Sequence, residues 1–277
     1  MDTDVAVLMR TIFWLIVGMM AVPIVPGVAQ ETKPTPEVRK VLAPTGKLRV
    51  GLYVGNPSSL VKDPVSGQAA GVGFELGREL ARWLDVPFEQ VVYPNNGAVL
   101  EGIRAGNVDV WFTNATPARA KEVDFTQPYI EVEAGYLVPQ GSSIGTIGDI
   151  DKPGIRVGVM EGSTSAVALP SLLKNASVIR VPTVEAVIEM LSARTLDAFA
   201  TNKSVLFEMS DTLRGSSVLA GRYGVEQLAL GLPKGREAGL PYVRGFVAAA
   251  VSSGLVKAAV DRAGFRGGNI RTDANPQ

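Results

Sequence analysis

The chain has 277 residues, of which 46% are hydrophobic and 19% are charged, a composition typical of a folded protein long enough for two domains. Lysine plus arginine and aspartate plus glutamate each number 27, so the chain lacks the basic excess that nucleic acid or anionic lipid would select. It has no cysteine and no histidine, which excludes disulfides and thiolate chemistry and excludes, or nearly so, transition-metal sites and Ser-His-Asp or Cys-His catalytic groups. We therefore predict no metal, no cofactor and no nucleic-acid partner.

The amino terminus carries an apolar run over 12–25, with Arg10 before it and small residues up to Ala29 after it. A helix that spans a bilayer needs about 20 apolar residues, so this shorter run is typical of a secretory signal peptide. We predict that 1–29 is a signal peptide cleaved after Ala29; an uncleaved anchor is the alternative. No cysteine follows the run, so a lipoprotein anchor is excluded.

Two acidic residues, Asp2 and Asp4, are atypical of the positively charged start of a signal peptide. We hypothesise that translation starts at Met9, which would place Arg10 directly before the apolar run. Amino-terminal sequencing of the unprocessed precursor tests this hypothesis, and the presence of Asp2 in that precursor would disprove it.

The next segment, 30–45, is a polar leader in which Thr35 and Pro36 predict the start of one short helix. From Leu48 onward the pattern alternates between strands and helices, which indicates a mostly parallel sheet flanked by helices. The predicted strands are 48–53, 88–93 and 108–112, and the predicted helices are 74–84 and 98–105.

The same order of elements then returns. The second series has predicted strands at 155–160, 178–181 and 196–200 and predicted helices at 165–173 and 184–191. The segments 100–114 and 188–202 also match at a constant offset of 88, with identical Glu, Ala, Asp, Thr and Asn residues at five places. This repetition predicts two similar lobes.

Two extended runs without helical periodicity, 133–139 and 226–233, are predicted to be strands that cross between the lobes and form the hinge. The helical segments 242–252 and 255–263 then return to the first lobe. The predicted boundaries are 46–137 with 227–266 for lobe 1, 138–226 for lobe 2 and 267–277 for a flexible tail.

The stretch from Asn114 to Tyr129 follows the third predicted strand of lobe 1. Thr116 is a good helix N-cap and Pro117 suits the first helical position, so Arg119 falls in the first turn of a predicted helix. The helix dipole disfavours a cation there by about 0.3 to 1 kcal/mol, so Arg119 and the free backbone N–H groups make sense if both face an anion. The alternative is an ordinary capped helix with a solvated arginine.

Several motifs in order resemble the family 3 extracellular solute-binding proteins, the periplasmic receptors of polar amino-acid ABC transporters. The motifs are Leu48-Arg49-Val50-Gly51, Gly71 to Leu76, Thr116-Pro117-x-Arg119, Val123-Asp124-Phe125-Thr126-x-Pro128-Tyr129, Arg156 to Val159, Gly162-Ser163-Thr164 and Leu196-Asp197-Ala198. The resemblance covers about Gly46 to Gly264. It implies a type II periplasmic-binding-protein α/β fold, in which two lobes, each with a mostly parallel sheet flanked by helices, are joined by two crossing strands. It also implies a periplasmic location, an ABC transporter permease as partner, and a role for Arg119 in holding the ligand's α-carboxylate.

Ligands of open α/β sheets bind beyond the carboxyl ends of the strands, so we predict further ligand-binding residues there. By position they are Tyr53, Asn56, Phe112, Asn114, Gly162, Ser163, Thr164 and Asn202. The internal match predicts that Asn114 and Asn202 face each other across the cleft. Ordinary structural roles are open as alternatives, since Ser163 or Thr164 could be an N-cap, Phe112 a core residue and Tyr53 a packing residue.

The chain departs from the family pattern at Asn114, where relatives usually carry Ser or Thr, and at Phe112, where they often carry Gly. A third departure is Asn202, because relatives commonly have there an acidic residue that holds the ligand's α-ammonium. An amide cannot supply that charge-assisted bond, which is worth about 1.5 to 3 kcal/mol. The resemblance therefore implies either a carboxylate ligand without an α-amine or an amino acid held by neutral groups and an aromatic face.

We predict a monomeric substrate-binding protein of an ABC importer that closes two lobes on a small carboxylate or amino acid, and no enzyme. One alternative is a periplasmic dehydratase acting on a cyclohexadienyl acid, as a few proteins of this architecture are. However, Asp109 and Asp197 begin strands at the end away from the cleft, and no histidine is available, so a glutamate or lysine would have to act as acid or base, and none is placed persuasively. A second alternative is a sensing partner of a membrane kinase.

Overall fold

The computed structural model describes residues 33–62 and 66–271, so the predicted signal peptide and the hypothesis about Met9 lie outside the described residues. Its helices are α1 (Pro36–Leu42), α2 (Val72–Leu84), α3 (Asn96–Arg104), α4 (Thr164–Leu172), α5 (Val184–Ser192), α6 (Lys203–Thr212), α7 (Leu240–Ser252) and α8 (Leu255–Arg262). Its strands are β1 (Leu48–Tyr53), β2 (Val61–Lys62), β3 (Ala69–Ala70), β4 (Phe88–Tyr93), β5 (Val110–Asn114), β6 (Val123–Phe125), β7 (Ile130–Val138), β8 (Arg156–Met160), β9 (Ser177–Val181), β10 (Ala198–Asn202), β11 (Ser217–Val218), β12 (Gly224–Pro233) and β13 (Gly268–Ile270).

The main sheet runs in the order β4, β1, β5, β12, β7, β10, β8, β9. In its first half β1 pairs in parallel with β4 and β5, and in its second half β8 pairs in parallel with β9 and β10. The two halves belong to two lobes with separate apolar cores, one drawn from 42–132 and 228–265 and the other from 136–219. This is the predicted α/β architecture of two lobes with mostly parallel sheets.

The strands β7 and β12 cross between the lobes and pair with each other in antiparallel register, from Gly224 opposite Ala134 to Leu228 opposite Ile130. In lobe 1, β12 also pairs with β5, whereas in lobe 2, β7 also pairs with β10. Each crossing strand therefore belongs to the sheet of one lobe and borders the other. Both strands begin two or three residues earlier than predicted.

The repeat at an offset of 88 extends to the ends of the helices and strands. Helix α3 begins after Asn95 and α5 after Thr183, and in both cases the capping side chain accepts a hydrogen bond from the backbone N–H three residues later. Asp109 accepts hydrogen bonds from Arg49, and Asp197 accepts matching bonds from Arg156. The two lobes thus share both their chain path and the side chains that fix the start of the third strand.

The structure corrects four expectations. The predicted helix at Arg119 is one 3₁₀ turn, Arg119–Lys121, because the chain leaves it at once to form β6. The strands β5 and β10 lie two residues later than predicted, and α6 directly after β10 was not predicted. The tail is not flexible from 267 onward, because β13 pairs with β7. Residues 272–277 lie outside the described part.

The leader holds the predicted helix, α1, whose N-cap Thr35 accepts a hydrogen bond from the N–H of Val38. Leu42 at its end is fully buried in the core of lobe 1. No single helix of the described chain is long and apolar enough to cross a membrane. The segments Glu237–Ser252 and Leu255–Arg262, bent by 71°, meet that test together by length and composition only, and their apolar residues help to form the core of lobe 1.

Candidate functional site

Two neighbouring cavities lie in the cleft between the lobes, one of about 470 Å³ and one of about 740 Å³. Both are lined by residues of both lobes. The residues shared by the two cavities are Asn114, Ser163, Thr164 and Glu226. Tyr53, Asn56 and Asn202 line the smaller cavity, whereas Arg119 and Gly162 line the larger one. The carboxyl ends of β1, β5, β8 and β10 all reach this region, as expected for ligand sites of open α/β sheets.

Arg119 is held rigidly although its turn is short. The N–H of Arg119 donates to Thr116 Oγ1 (3.2 Å), although the 3₁₀ turn itself begins after Ala118, so Thr116 is not the N-cap that was predicted. The guanidinium lies over the buried ring of Trp111, with its carbon 4.9 Å from the ring centroid. Nη1 donates to Thr113 Oγ1 (2.9 Å) and to the carbonyl of Asn114 (3.0 Å). These contacts direct the guanidinium along the end of β5 towards the larger cavity.

The charge of Arg119 has no counter-ion among the described residues. Only 6% of the residue is exposed, and the structure gives it two hydrogen bonds through Nη1 and no ion pair, which leaves Nε and Nη2 without a protein acceptor within 33–62 and 66–271. Burial lowers its pKa, while electrostatic interactions, chiefly with Glu226, act in the opposite direction. A buried guanidinium with two free donor groups beside a cavity is suited to a planar anion such as a carboxylate.

Tyr53 and Asn56 form one wall of the smaller cavity. The side chain of Asn56 donates from Nδ2 to Tyr53 Oη (3.0 Å) and accepts from the N–H (2.8 Å) and the hydroxyl (2.7 Å) of Ser58. Burial raises the pKa of Tyr53 to about 12, with a smaller opposing effect from a hydrogen bond with Ser58. The wall is thus neutral and fixed before any ligand binds.

The predicted Gly162-Ser163-Thr164 turn contributes from lobe 2. Ser163 is the N-cap of α4, because its Oγ accepts a hydrogen bond from the N–H of Ala166 (3.1 Å). It therefore has the structural role that was open as an alternative, and it also lines both cavities. The hydroxyl of Thr164 donates to Glu226 Oε1. Gly162 has a φ of +69°, a conformation that favours glycine.

The two asparagines related by the repeat both line the smaller cavity, and both are the last residues of their strands. Asn114 Oδ1 accepts from the N–H of Gln227 (2.7 Å), which fixes the end of β5 to β12. Asn202 Oδ1 accepts from the N–H of Val205 (3.2 Å) and so caps α6, while its Nδ2 donates to Glu226 Oε2 (3.2 Å). They lie on opposite lobes, and each side chain makes hydrogen bonds to a backbone N–H or to a residue of the crossing strand β12.

The structure contradicts the prediction that Phe112 lies in the ligand site. It is 2% exposed, lines neither cavity and packs edge-on against Tyr129, with ring centroids 6.3 Å apart, in the core of lobe 1. Because side chains alternate along a strand, Trp111 and Thr113 point to the opposite face of β5, where Arg119 lies. The placement of Phe112 in the site is therefore wrong, and Thr113 occupies the cavity wall in its place.

Glu226 is a cavity residue that the sequence-based prediction missed. It lies on β12, it is 8% exposed, and its two carboxylate oxygens accept hydrogen bonds from Thr164 and Asn202. Within the described residues it has no ion pair with lysine or arginine. The only sequence signal was an acidic residue at the start of the predicted hinge strand 226–233.

The backbones of the two lobes touch at Gly97 and Gly162. A Cβ at Gly162 would lie 2.7 Å from the Cα of Gly97, which is closer than atoms can pack. Both glycines line the larger cavity. Among the described residues, no group of three or more aspartate or glutamate side chains is placed to hold a metal ion. The cleft therefore offers polar and charged groups for a small organic ligand.

Residues 48–263 match the family model described as bacterial extracellular solute-binding proteins, family 3. The chain is 25% identical over 185 residues to the ABC transporter glutamine-binding protein GlnH of Bacillus subtilis, a match that spans 64% of this chain and 66% of that relative. It is also 25% identical over 196 residues to a glutamine-binding protein of Geobacillus stearothermophilus, covering 68% of this chain and 73% of the relative.

Solved structures show the same fold. A solute receptor for L-cysteine of Neisseria gonorrhoeae superposes with a TM-score of 0.72 at 24% identity, covering 82% of this chain and 92% of the receptor. The ancestral amino acid-binding protein AncCDT-1, a precursor of cyclohexadienyl dehydratase, superposes with a TM-score of 0.69 at 25% identity, covering 82% and 98%. The family match covers most of the chain and includes every cavity residue described above. The chain belongs to the bacterial extracellular solute-binding proteins, family 3.

Proposed function

We propose that this protein is the substrate-binding protein of an ABC importer and that it binds a small carboxylate-bearing solute, such as an amino acid, between its lobes. The observation that carries the proposal is Arg119, a buried guanidinium with free donor groups and no protein counter-ion beside the cleft. Burying an unpaired charge is unfavourable, so a bound carboxylate would stabilise this arrangement.

The relatives support the same class of ligand. Their names describe binding proteins for glutamine and a receptor for L-cysteine, and the first is a component of an ABC transporter. These ligands share an amino-acid backbone and differ in their side chains. A membrane permease of an ABC transporter is therefore the proposed protein partner. Other residues that line the cleft would select the side chain of the ligand.

The proposed location is the periplasm, reached through the predicted signal peptide at 1–29. Support comes from the extracellular character of the family and from the apolar run followed by small residues. A monomer without a nucleic-acid partner is proposed because the two lobes supply a complete cleft and the charges balance at 27 each.

Binding without catalysis is proposed over the dehydratase alternative. Asp109 and Asp197 are engaged with arginines at the ends of the strands away from the cleft. Glu226 is at the cavity, but each of its oxygens accepts a hydrogen bond from a neighbouring side chain, which holds the carboxylate in place. The same cleft would serve a sensing partner of a membrane kinase, and no feature of the described residues favours that role.

Replacing Arg119 with alanine tests the proposal. We expect Arg119→Ala to weaken binding of a carboxylate solute by about 2 to 5 kcal/mol, because it leaves the desolvated carboxylate without its partner. The ligand is first found by a thermal-shift screen of amino acids and organic acids, on protein unfolded and refolded to remove any carried-over solute. Affinities are then measured by calorimetry.

The matched control is Arg78→Ala. Arg78 is also an arginine of lobe 1, but its side chain is 60% exposed, pairs with Glu75 and lines neither cavity. This variant should bind like the unaltered protein. Equal affinities of Arg119→Ala and Arg78→Ala would contradict the proposed site.

A further inference from the structure

The last residue of β10, Asn202, lines the smaller cavity with an uncharged amide. In the structure, a further polar group lies next to this amide. Its Nδ2 donates to Glu226 Oε2 (3.2 Å), so a carboxylate lies directly behind it, contributed by a hinge strand 24 residues further along the chain. The negative charge absent from the end of β10 is therefore present in the same cavity on β12.

Glu226 and Arg119 are opposite charges on one cavity. Both line the larger cavity and both are more than nine-tenths buried, yet they do not form an ion pair with each other. The main-chain pairing of β5 with β12 places them near each other, since Asn114, whose carbonyl accepts from Arg119, lies opposite Leu228. A zwitterionic ligand carries a carboxylate that is complementary to Arg119 and an ammonium group that is complementary to Glu226.

The remaining hydrogen-bonding capacity of Glu226 suits an ammonium group. A carboxylate offers about four acceptor positions, and Thr164 and Asn202 occupy one on each oxygen. Neighbouring cations do not use the others, because Lys203, the lysine beside Asn202, and Arg222 both pair with Glu133. A buried carboxylate without a cation is unfavourable, and a ligand ammonium would supply the charge.

We propose that Glu226 binds the α-ammonium of the ligand and that the protein therefore selects zwitterionic α-amino acids over carboxylic acids that lack the amine. This inference rests on the proposed function, in which Arg119 binds the carboxylate. Thr164 and Asn202 are positioning residues that hold the Glu226 carboxylate from lobe 2. The ligand would thus join lobe 1, through Arg119, to lobe 2 and the hinge, through Glu226.

The test compares an amino acid with its desamino analogue. The protein L-amino acids are screened on refolded protein, and the tightest one is measured by calorimetry beside its analogue, for instance glutamine beside glutaramate. The unaltered protein should prefer the amino acid by about 100-fold or more, because the charge-assisted bond is lost in the analogue. Glu226→Gln should reduce this preference to about tenfold or less by weakening binding of the amino acid alone.

Two further variants separate a binding role from a structural one. Glu131→Gln alters another carboxylate of the crossing strands, which pairs with Arg271 and lines neither cavity, and should keep the full preference. The double variant Glu226→Gln, Asn202→Asp again has a carboxylate in the cavity, on the side chain next to residue 226. It should therefore restore the preference for the amino acid over its desamino analogue. Aspartate also keeps the N-cap of α6.

Four outcomes would overturn the inference. Glu226→Gln could weaken the amino acid and its analogue equally, which assigns Glu226 a structural role, or it could leave the preference unchanged. The unaltered protein could bind both equally in an Arg119-dependent manner, in which case the ligand is a plain carboxylic acid and the proposed function stands. If no amino acid or organic acid binds, the proposed function fails as well.

Discussion

Asp109 and Asp197 occupy equivalent places before the third strand of each lobe, but their surroundings differ. The side chain of Asp109 is fully buried and accepts from Arg49 and from Arg236, which reaches it from the chain that returns after β12. Asp197 is 28% exposed and accepts from Arg156, whose own side chain is 39% exposed. The same carboxylate is thus a buried junction in lobe 1 and a peripheral ion pair in lobe 2.

This difference predicts unequal effects of the same substitution. Asp109→Asn should lower the free energy of unfolding by about 3 kcal/mol, because it leaves two largely buried guanidinium groups without a counter-charge. Asp197→Asn should lower it by about 1 kcal/mol or less, since exposed ion pairs contribute little. Denaturant unfolding of the two variants measures both values, and equal losses would show that burial does not distinguish the pairs.

The sequence identified Arg119 but not Glu226, and the reason is physical. Arg119 stands in a local pattern, a capped turn directly after a buried strand, in which a cation is unexpected. Glu226 has no such local signal, and its meaning depends on Asn202 and Thr164, which reach it only through the antiparallel pairing of the crossing strands. Phe112 failed for a related reason, because the predicted strand ended at Phe112, whereas β5 continues to Asn114 and places Phe112 inside the strand.

At the scale of helices and strands, local periodicity predicted the elements that have their own capping and apolar pattern. β1 and β4 have the predicted ends, and α5 differs by one residue. Helix α6 was missed because its hydrophobic periodicity is weak and its N-cap, Asn202, looked like the end of a strand only. The 3₁₀ turn at Arg119 was predicted as a longer helix because pairing of β6 with β12, which ends it, is a tertiary interaction.

The contact of α3 with the turn before α4 predicts a role for Gly162 in closure. Gly162→Ala would place a methyl group 2.7 Å from the Cα of Gly97, and neither backbone can yield as a flexible side chain does. Overpacking of this kind costs about 1 to 3 kcal/mol, so ligand affinity should fall by about tenfold or more. Small-angle scattering should also give a larger radius of gyration for the ligand-saturated variant than for the unaltered protein.

Gly154→Ala is the matched control for this prediction. Gly154 lies in lobe 2 with a φ of +86°, so alanine meets the same backbone strain, but no atom lies within 4 Å of the added methyl group. It should lose stability without losing affinity or changing the ligand-bound dimensions. If Gly154→Ala and Gly162→Ala reduced affinity alike, strain and not the contact between the lobes would be the cause.

At the scale of the whole molecule, the two lobes are joined by β7 and β12, and β13 supports that junction. The residues 130–132 of β7 pair on one side with 226–228 of β12 and on the other side with 268–270 of β13. Glu226 itself lies opposite Val132, whose second neighbour is Gly268. The end of the described chain therefore holds the strand against which the proposed ammonium-binding residue is placed.

Truncation of the carboxyl terminus tests this arrangement. Ending the chain after Arg266 removes β13 and its hydrogen bonds to β7, each worth about 1 kcal/mol, so the free energy of unfolding should fall by about 2 to 3 kcal/mol. For a protein of this size the Tm should decrease by about 4 to 8 °C, as measured by calorimetry.

Ending the chain after Arg271 is the control, because it keeps β13, the backbone hydrogen bond from Arg271 to Tyr129 and the ion pair with Glu131, and it should leave the Tm unchanged. Because β13 borders the hinge, the shorter chain should also bind the ligand more weakly, and two truncated chains with the same Tm and affinity would show that β7 needs no support on this side.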